Sequence, residues 1–309
     1  MKTALSSTNT IFSPKTAVSE FKEITKFRLA ASVVFSSIAG YLLGVVEFTS
    51  NNWITLLMLA IGGYCMVGAS NAFNQIIEKD TDLKMDRTKN RPVPSKRMTS
   101  TTAFVIATVL TILGLIILYN INPKTAMFGA ISIFLYVSVY TPLKTMTPLS
   151  VFVGAFPGAI PFMLGWVAAT GHFGIEAGTL FMIQFFWQFP HFWAIGWFLY
   201  EDYKKADIYM LPNGRRDKGT ARQIIMYTFW TVVTSVVPVI GYFKEEILGR
   251  LYITPVSAVI ILGLGIWFMM HTFKLYKKRD AKTARTLMLV SVSYITLLQI
   301  VYVLDKFIR

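Results

Sequence analysis

Charged residues are scarce in this chain, because Asp, Glu, Lys and Arg make up 15% of its 309 residues, against about 25% in soluble domains. Cysteine is nearly absent, and the single Cys65 excludes a disulfide framework or a cysteine-based metal cage. No linker rich in Pro, Ser or Gly divides the sequence, so we predict one domain over residues 1–309. Hydrophobic residues, by contrast, reach 54%, which indicates a lipid bilayer as the surroundings.

Long apolar stretches are the main structural signal. A membrane-spanning helix needs about 20 mostly apolar residues. Nine stretches qualify, at 28–46, 53–77, 101–120, 124–141, 148–169, 178–200, 223–243, 252–273 and 286–304. The alternating ten-residue segments of a membrane β-barrel are absent from the sequence. We therefore predict an all-α, polytopic membrane protein with nine transmembrane helices.

The positive charges are distributed unevenly around these spans. Of the 30 Lys and Arg, 25 lie in the N-terminal arm and its junction with the first span, or in the loops after the even-numbered spans. By the positive-inside rule, the arm (residues 1–26) and those loops face the cytoplasm, and the C-terminus faces outside. We therefore attribute the net charge of +14 to the orientation of the chain in a cell (inner) membrane. We predict no nucleic-acid partner.

A dense group of charges, NQIIEKDTDLKMDRTKNRP at 74–92, follows the second predicted span. Asn74, Glu78 and Asp82 recur every four residues, which on a helix places them on one face about 6 Å apart. Asn71 lies one turn deeper. Oxygen-bearing side chains at the edge of a membrane suit a hard cation such as Mg²⁺, which binds one or two carboxylates together with water and substrate phosphates. The sequence therefore predicts a cation site here.

Cations follow the acids in the same segment. Arg87 and Arg91 are of the type that binds phosphate oxygens, so the order of acid and base predicts a metal-bridged diphosphate. The alternative is a helix end with solvated charges that serve orientation alone. Because Asn71 and Asn74 fall within the predicted span, where polar groups are costly and usually functional, we favour a site.

A second polar pattern lies in FMIQFFWQFPHFWAIGWFLYEDYKKADIYMLP, at 181–212. Gln184, Gln188, His191 and Asp202 have offsets that return to one helix face. His191 has three candidate roles, as a metal ligand, as a hydrogen-bond partner of a substrate or as a base. The alternative is a single interhelical hydrogen bond from His191. The charged ends of the second and sixth spans would then face one cavity, as in a weak internal duplication.

The first segment resembles a known signature. Asn74, Glu78 and Asp82, followed by MDRTKNRP at 85–92, are similar to the first motif of the UbiA-like intramembrane prenyltransferases. The resemblance implies nine helices around a central chamber. It also implies that the Asn and the acids bind the Mg²⁺-diphosphate of an isoprenoid donor.

Two positions depart from the pattern of the superfamily. Glu78 stands where the superfamily usually has Asp, so its longer side chain shifts the geometry around a metal ion. Asp202 and Asp207 are five residues apart, whereas the second motif usually pairs aspartates four apart. Asp202 is therefore the better candidate for a second ion.

Four further segments narrow the resemblance to the haem-farnesylating branch of the superfamily. They are YTPLK at 140–144, GAFPGAIPFMLGW at 154–166, WQFPHFWA at 187–194 and DYKKADIYMLP at 202–212. The resemblance implies transfer of farnesyl from farnesyl diphosphate to a vinyl group of haem b, with Mg²⁺ as cofactor. The implied partners are a downstream haem A synthase or oxidase assembly factors.

These inferences assign roles to twelve residues. The expected metal ligands are Asn74, Glu78, Asp82 and Asp202. The expected catalytic contacts to the leaving diphosphate are Arg87, Arg91, Lys144 and Lys204. The expected substrate contacts are Asn71, Gln188, His191 and Trp193.

Three other functions remain open at this point. A related prenyltransferase would use another acceptor, such as a quinone precursor or a chlorophyllide. A transporter of an anionic lipid or metabolite would suit many helices with an apparent half-repeat. An oxidase scaffold would use the charged loops as docking surfaces, and its activity would survive neutralisation of Glu78 and Asp82.

Overall fold

The computed structural model describes residues 14–244, 247 and 249–309, and every regular element in this part of the chain is helical. The first elements are α1 (Pro14–Ile24), α2 (Phe27–Gly44), α3 (Ser50–Ile77), α4 (Lys79–Leu83), α5 (Ser100–Ile121), α6 (Pro123–Phe134), a π-helical segment (Leu135–Tyr140) and α7 (Thr141–Leu143). They are followed by α8 (Ser150–Thr170), α9 (Ile175–Phe198), α10 (Tyr200–Lys204), α11 (Lys218–Val236), α12 (Val239–Phe243), α13 (Pro255–Lys278) and α14 (Ala281–Ile308). The all-α prediction is confirmed.

Each predicted span coincides with a helix. Eight helices of the described part are long and apolar enough to cross a membrane, when α6–α7 and α11–α12 are each counted once. The remaining predicted span, 178–200, forms α9, whose 24 residues would extend about 36 Å. Its glutamines, proline and histidine lower its hydropathy, and it is not among the eight. The count of nine spans stays a prediction.

Helix α8 lies at the centre of the bundle. Of its most apolar stretch 78% is buried within the protein, against 22–44% for the other seven candidate spans. Helix α2 crosses it closely enough to require glycine on both sides. A Cβ atom on Gly40 would lie 1.9 Å from the carbonyl oxygen of Phe162, and one on Gly165 would lie 1.9 Å from that of Ser37. Small residues allow such approaches between membrane helices.

The outer helices present apolar side chains to their surroundings. On α5 the exposed large residues are Phe104, Val105, Val109, Ile112, Leu113, Ile116 and Tyr119. A continuous apolar surface of this kind marks a region that contacts lipid or another apolar partner. The apolar exterior supports a chain embedded in a bilayer.

Side-chain caps fix where several helices begin. In each case a side-chain oxygen accepts a hydrogen bond from the backbone N–H three residues later, which satisfies a donor that the helix leaves free. The capping residues are Thr99, Asn122, Asp217, Thr254 and Asp280. Asn122 also donates from Nδ2 to the carbonyl oxygen of Val167, which ties the start of α6 to the end of α8.

Two charged loops meet at one end of the bundle. We call residues 78–99, between α3 and α5, the first charged loop, and residues 199–217, between α9 and α11, the second charged loop. Helix α1, which the sequence did not predict, packs beside the first charged loop. Arg97 joins them by binding both Glu20 and Glu23 of α1. Residues 1–13 of the predicted arm lie outside the described residues.

Candidate functional site at the charged end of the bundle

Helix α3 ends where the predicted cation site begins. Glu78 has φ −90° and ψ 10°, outside the helical range, and α4 starts directly after it. Hydrogen bonds continue across this bend, because Glu78 N donates to Asn74 O at 2.9 Å and Asp82 N donates to Glu78 O at 2.7 Å. The three predicted ligands therefore remain about one helical turn apart, with a bend between them.

Glu78 forms an ion pair with Lys144. The Nζ atom of Lys144 lies 2.8 Å from Oε1 of Glu78, and the two side chains are only 10% and 11% exposed. The π-helical segment before α7 brings the ring of Tyr140 to 4.5 Å from the ammonium group. Burial alone would raise the pKa of Glu78, but the charge of Lys144, with that of Lys26, outweighs burial and lowers this pKa. Glu78 is therefore held as a carboxylate.

Asp82 is completely buried and pairs with Arg91. Arg91 Nη1 donates to Asp82 Oδ2 at 2.8 Å, and Thr88 Oγ1 donates to the backbone oxygen of Asp82 at 2.9 Å. Burial raises the pKa of Asp82 above its ordinary value, although the guanidinium of Arg91 acts in the opposite direction. The other carboxylate oxygen, Oδ1, is buried and has no hydrogen-bond partner within the described residues.

The geometry fits a cation that is shared with a ligand. Across residues 14–244, 247 and 249–309, no three His, Cys, Asp or Glu side chains converge into an all-protein metal cage. Mg²⁺ does not require one, because it usually binds one or two carboxylates and takes its other ligands from water and phosphate. The unpartnered oxygen of Asp82, with Glu78 and the buried amide of Asn74 one and two turns away, suits this mode.

Asp202 joins the two charged loops. Its Oδ1 accepts a hydrogen bond from Asp86 N at 2.9 Å, and its Oδ2 accepts one from Arg87 N at 3.4 Å. Lys205 contacts the carboxylates of both Asp86 and Asp202. A carboxylate offers about four acceptor positions, so these contacts leave part of the capacity of Asp202 unused.

The four predicted cations divide into two groups. Arg91 and Lys144 are largely buried beside the acids. Arg87 and Lys204 are exposed on the loops, and the guanidinium of Arg87 lies 5.9 Å from the ring centroid of Tyr203. The structure thus brings two cations into the acidic cluster and leaves two at its edge.

The polar residues of α9 lie along one side of the helix. Gln188 packs against Gly158 of α8, where a Cβ atom would come within 2.9 Å of three side-chain atoms of Gln188. Gln184 Oε1 is buried without a hydrogen-bond partner in the described part of the chain. This face therefore contains polar atoms that the packing of the protein alone leaves unsatisfied.

His191 and Trp193 face different neighbours. His191 Nδ1 lies 2.8 Å from Ser291 Oγ on α14, which is the interhelical hydrogen bond that the sequence offers as the alternative to a ligand role. Trp193 packs in an aromatic group, with ring centroids 5.3 Å from Phe189 and 5.1 Å from Tyr227. Its Nε1 is buried and lacks a hydrogen-bond acceptor among the described residues.

Asn71 and Gln75 hold the turn between α1 and α2. Asn71 Nδ2 donates to Thr25 O at 3.1 Å, and Gln75 Nε2 donates to Ile24 O at 3.3 Å. The hydroxyl groups of Thr25 and Tyr64 lie 2.8 Å apart. The amide nitrogen of Asn71 is therefore used within the protein, which leaves its carbonyl oxygen for a substrate contact.

That turn contains Lys26, which from the sequence is only one of five cations near the N-terminus. Its backbone is left-handed, with φ 50° and ψ 58°, a conformation that few residues other than glycine adopt. Burial, together with the positive charges of Arg91 and Lys144, lowers the pKa of Lys26 to about 7. Lys26 thus belongs to the same cluster. No signal in the sequence separates it from its neighbours, because cations are common at this end.

Similarity to known proteins extends over nearly the whole chain. A family model described as UbiA prenyltransferase family matches residues 33–295. A protoheme IX farnesyltransferase of Flavobacterium psychrophilum is 69% identical over 305 residues, which cover 99% of this chain and 100% of that protein. A protoheme IX farnesyltransferase of Flavobacterium johnsoniae is 66% identical over 290 residues, covering 94% of this chain and 95% of that one.

Solved structures share the fold at lower identity. A digeranylgeranylglyceryl phosphate synthase superposes with a TM-score of 0.73 at 17% identity, over 93% of this chain and 98% of that chain. A UbiA homologue from Archaeoglobus fulgidus, solved with GPP and Mg²⁺, superposes with a TM-score of 0.61 at 14% identity, over 92% and 99%. This chain belongs to the UbiA prenyltransferase family.

Proposed function

We propose that this chain transfers the farnesyl group of farnesyl diphosphate to a vinyl group of haem b and adds water, giving haem O and diphosphate. Haem O would serve the biogenesis of haem–copper oxidases. Relatives named protoheme IX farnesyltransferase are 66–69% identical over nearly the full chain, which supports this activity. The structural observation that carries the proposal is the buried cluster of acids and cations at the end of α3.

The charge balance of this cluster favours an anionic ligand. Glu78 and Asp82 each pair with one cation at 2.8 Å, and Lys26 adds a further positive charge when it is protonated. Electrostatic interactions are stronger in a buried site than in water, because the effective dielectric constant is lower. A diphosphate bound with a metal ion satisfies both signs, since the metal ion binds the carboxylates and the cations bind phosphate oxygens.

We assign the metal site to Asn74, Glu78 and Asp82, with Asp202 as the candidate ligand of a second ion. Burying the unpartnered Oδ1 of Asp82 costs free energy, and a bound cation would offset that cost directly. Mg²⁺, when bound, supplies positive charge that neutralises the diphosphate. A second ion at Asp202 would share the carboxylate with the backbone of the first charged loop.

The reaction begins with cleavage of the bond between farnesyl C1 and the diphosphate oxygen. Arg91 and Lys144 would hold the phosphate oxygens from inside the cluster and stabilise the charge of the leaving group, and Arg87 and Lys204 would reach it from the loops. The electron-rich vinyl group of haem then attacks the allylic cation, which forms the carbon–carbon bond. Water captures the resulting cation beside the porphyrin and releases a proton, so the chemistry needs no nucleophilic side chain.

The large substrates would lie along the polar face of α9 and the aromatic residues near it. His191 would contact the haem iron through Nε2, and Gln188 lies about one turn away on the same face. Trp193 would contact the farnesyl chain or the porphyrin from its aromatic group. Asn71 would contact a substrate through its free side-chain carbonyl oxygen.

We further propose an orientation and a location. The charged end of the bundle faces the cytoplasm and the C-terminus faces outside, in the inner membrane of the cell, with residues 1–309 forming one domain. The positive-inside rule supports this, because 25 of the 30 Lys and Arg lie in the N-terminal arm and its junction with the first span, or in the loops assigned to that side. A haem A synthase and oxidase assembly factors are the expected partners.

The test is an assay of the purified chain in lipid nanodiscs with haem b, farnesyl diphosphate and Mg²⁺, with porphyrin products followed by mass. We expect a product heavier than haem b by the mass of farnesol, and its loss on chelation of Mg²⁺ or in Asp82→Asn. Asp80→Asn is the matched control, because Asp80 is an exposed acid in the same helical turn.

The other outcomes separate the remaining functions. Prenylation of a quinone precursor or a chlorophyllide, without any haem product, would keep prenyl transfer and reject haem as the acceptor. Transport of an anionic lipid across the bilayer, with no prenylated product, would support a transporter.

A further inference from the structure

Ser291 on α14 makes two side-chain contacts that together fix a proton position. Its Oγ lies 2.8 Å from His191 Nδ1 on α9. The same Oγ lies 2.6 Å from the backbone carbonyl oxygen of Met288, one turn earlier on α14. All three atoms are within hydrogen-bond distance, and Ser291 is completely buried.

Only one arrangement of donors and acceptors makes both contacts hydrogen bonds. A serine hydroxyl has a single proton, and a carbonyl oxygen can only accept. The proton of Ser291 therefore lies between Oγ and the carbonyl oxygen of Met288, in the back-bonded geometry that serine adopts within helices. Ser291 Oγ must then accept a hydrogen bond from His191, so Nδ1 of the neutral imidazole carries the proton and Nε2 carries the lone pair.

The ring plane of His191 is fixed as well. The imidazole stacks on the indole of Trp187, with centroids 4.6 Å apart and planes 17° apart. Trp187 Nε1 donates to the backbone carbonyl oxygen of Ser291 at 2.7 Å. Ser291 thus holds the histidine through its hydroxyl and the stacking tryptophan through its carbonyl group.

The second ring nitrogen remains available for a ligand. His191 is partly exposed, and Nε2 forms no hydrogen bond with any residue that the structure describes. It lies on the same face of α9 as Gln184, whose buried Oε1 also has no partner in that part of the chain. A histidine that binds a metal through one nitrogen usually donates the other N–H to a fixed acceptor, which is the arrangement seen here.

We propose that Ser291 is a positioning residue for the haem substrate, because it fixes the His191 tautomer that leaves Nε2 unprotonated and able to bind the haem iron. The inference rests on the proposed function, since haem is bound here only if it is the acceptor. Ser291 touches neither substrate. It acts through His191, by setting the position of one proton and the orientation of one ring.

The test measures haem ligation directly and without farnesyl diphosphate. Ferrous haem b is titrated into the purified full-length chain in nanodiscs, and the iron–histidine stretch is recorded by resonance Raman spectroscopy. Ser291→Ala removes the hydroxyl and keeps the carbonyl oxygen that binds Trp187, while Ser291→Thr keeps a hydroxyl. Ser293→Ala is the matched control, because Ser293 is exposed on the same helix and its Oγ donates to Leu289 O at 3.2 Å.

We expect Ser291→Ala to weaken haem binding by about 10–100-fold and to lower the iron–histidine frequency, because the hydrogen bond at Nδ1 makes the imidazole a stronger ligand. Ser291→Thr, which keeps a hydroxyl, should retain both the haem affinity and the iron–histidine frequency. Ser293→Ala should match the wild type in both. His191→Ala should abolish the iron–histidine stretch. A Ser291→Ala protein that matches Ser293→Ala in both readouts overturns the inference.

The wild type separates this inference from the proposed function. A wild type that makes farnesylated haem without an iron–histidine stretch also overturns the inference and leaves the proposed function standing. A wild type that neither binds nor modifies haem overturns both.

Discussion

The two charged loops begin with the same backbone geometry and then differ in burial. Helix α3 is followed by Glu78, with φ −90° and ψ 10°, and α9 is followed by Leu199, with φ −96° and ψ 13°. A five-residue helix follows in both places, α4 in the first loop and α10 in the second. The repeated geometry agrees with a weak internal duplication, which the charge pattern of the sequence suggests.

The acids after these bends have different surroundings. Asp82 in the first charged loop is completely buried and pairs with Arg91, whereas none of the residues of α10 is buried. Asp202 in α10 accepts hydrogen bonds from backbone N–H groups of the first loop. The first charged loop therefore contains the acid–cation cluster, and the second is hydrogen-bonded to the first through Asp202.

Burial determines how much each charge contributes. The same pair of charges interacts several-fold more strongly in a protein interior than in water, so similar residues acquire unequal roles in the two halves. We infer that binding of metal and diphosphate depends mainly on the first charged loop.

Asp82→Asn should cause the largest loss. Farnesyl transfer should fall by at least about 100-fold, because asparagine neither neutralises Arg91 nor offers a charged oxygen to a cation. Breaking the buried pair should also lower the free energy of unfolding by about 3–5 kcal/mol. Initial rates and thermal unfolding in nanodiscs measure the two effects. An equal loss in the exposed control Asp80→Asn would contradict a specific role for Asp82.

Lys144→Gln should reduce the rate of farnesyl transfer by about 10–100-fold. Lys204→Gln changes an exposed lysine and should reduce the same rate by less than about threefold. Removal of the Lys144 ammonium also removes the main influence that lowers the pKa of Glu78, so burial would then raise this pKa. The rate of Lys144→Gln should therefore fall more steeply than that of the wild type as the pH is lowered, because Glu78 would take up a proton at a higher pH in the variant. Parallel pH profiles for Lys144→Gln and the wild type would refute this explanation.

Asp202→Asn should have an intermediate effect. Replacing the charged acceptor weakens hydrogen bonds to the backbone of the first loop by about 1 kcal/mol, which corresponds to about a fivefold loss of transfer. Glu201→Gln is the control, because the Glu201 side chain is 72% exposed and sits next to Asp202. A loss as large as that of Asp82→Asn would mean that both loops bind metal equally.

Asp86→Asn should have the smallest effect, less than about twofold, because surface ion pairs contribute little. Hydrogen bonds from Lys205 and Lys89 lower the pKa of Asp86 to about 2, so the group stays ionised at ordinary pH. The small difference from the wild type should therefore be constant between about pH 5 and pH 8 and disappear at high salt. Transfer rates of Asp86→Asn and the wild type in low and high salt measure this difference. A difference that changes between about pH 5 and pH 8 would contradict the conclusion that Asp86 stays ionised.

The spanning helices could be predicted from the sequence because a bilayer requires long apolar stretches. Helix α1 was missed, since its 11 residues are too short and too polar to register as a span. The bends at Glu78 and Leu199 were missed as well, because neither residue is glycine or proline and the helical hydrogen bonds continue across them. Local propensity does not encode such bends.

The site could be predicted only in its local part. The four-residue spacing of Asn74, Glu78 and Asp82 is visible in the sequence, but the pairing of Glu78 with Lys144 joins residues 66 positions apart. The contacts of Ser291 with His191 and of Asp202 with the first loop likewise depend on how distant helices pack. Long-range contacts of this kind require the tertiary structure.

The most direct test of the asymmetry between the loops is a binding measurement with Mn²⁺ in place of Mg²⁺. Electron paramagnetic resonance would report Mn²⁺ binding in the presence of a non-hydrolysable farnesyl thiodiphosphate, for the wild type, Asp82→Asn and Asp202→Asn. We predict that Asp82→Asn weakens binding of the Mn²⁺ ion at the end of α3 by at least about tenfold, and that Asp202→Asn leaves the affinity for this ion within about threefold of the wild type. An equal or larger loss in Asp202→Asn would contradict the placement of the metal–diphosphate site at the end of α3.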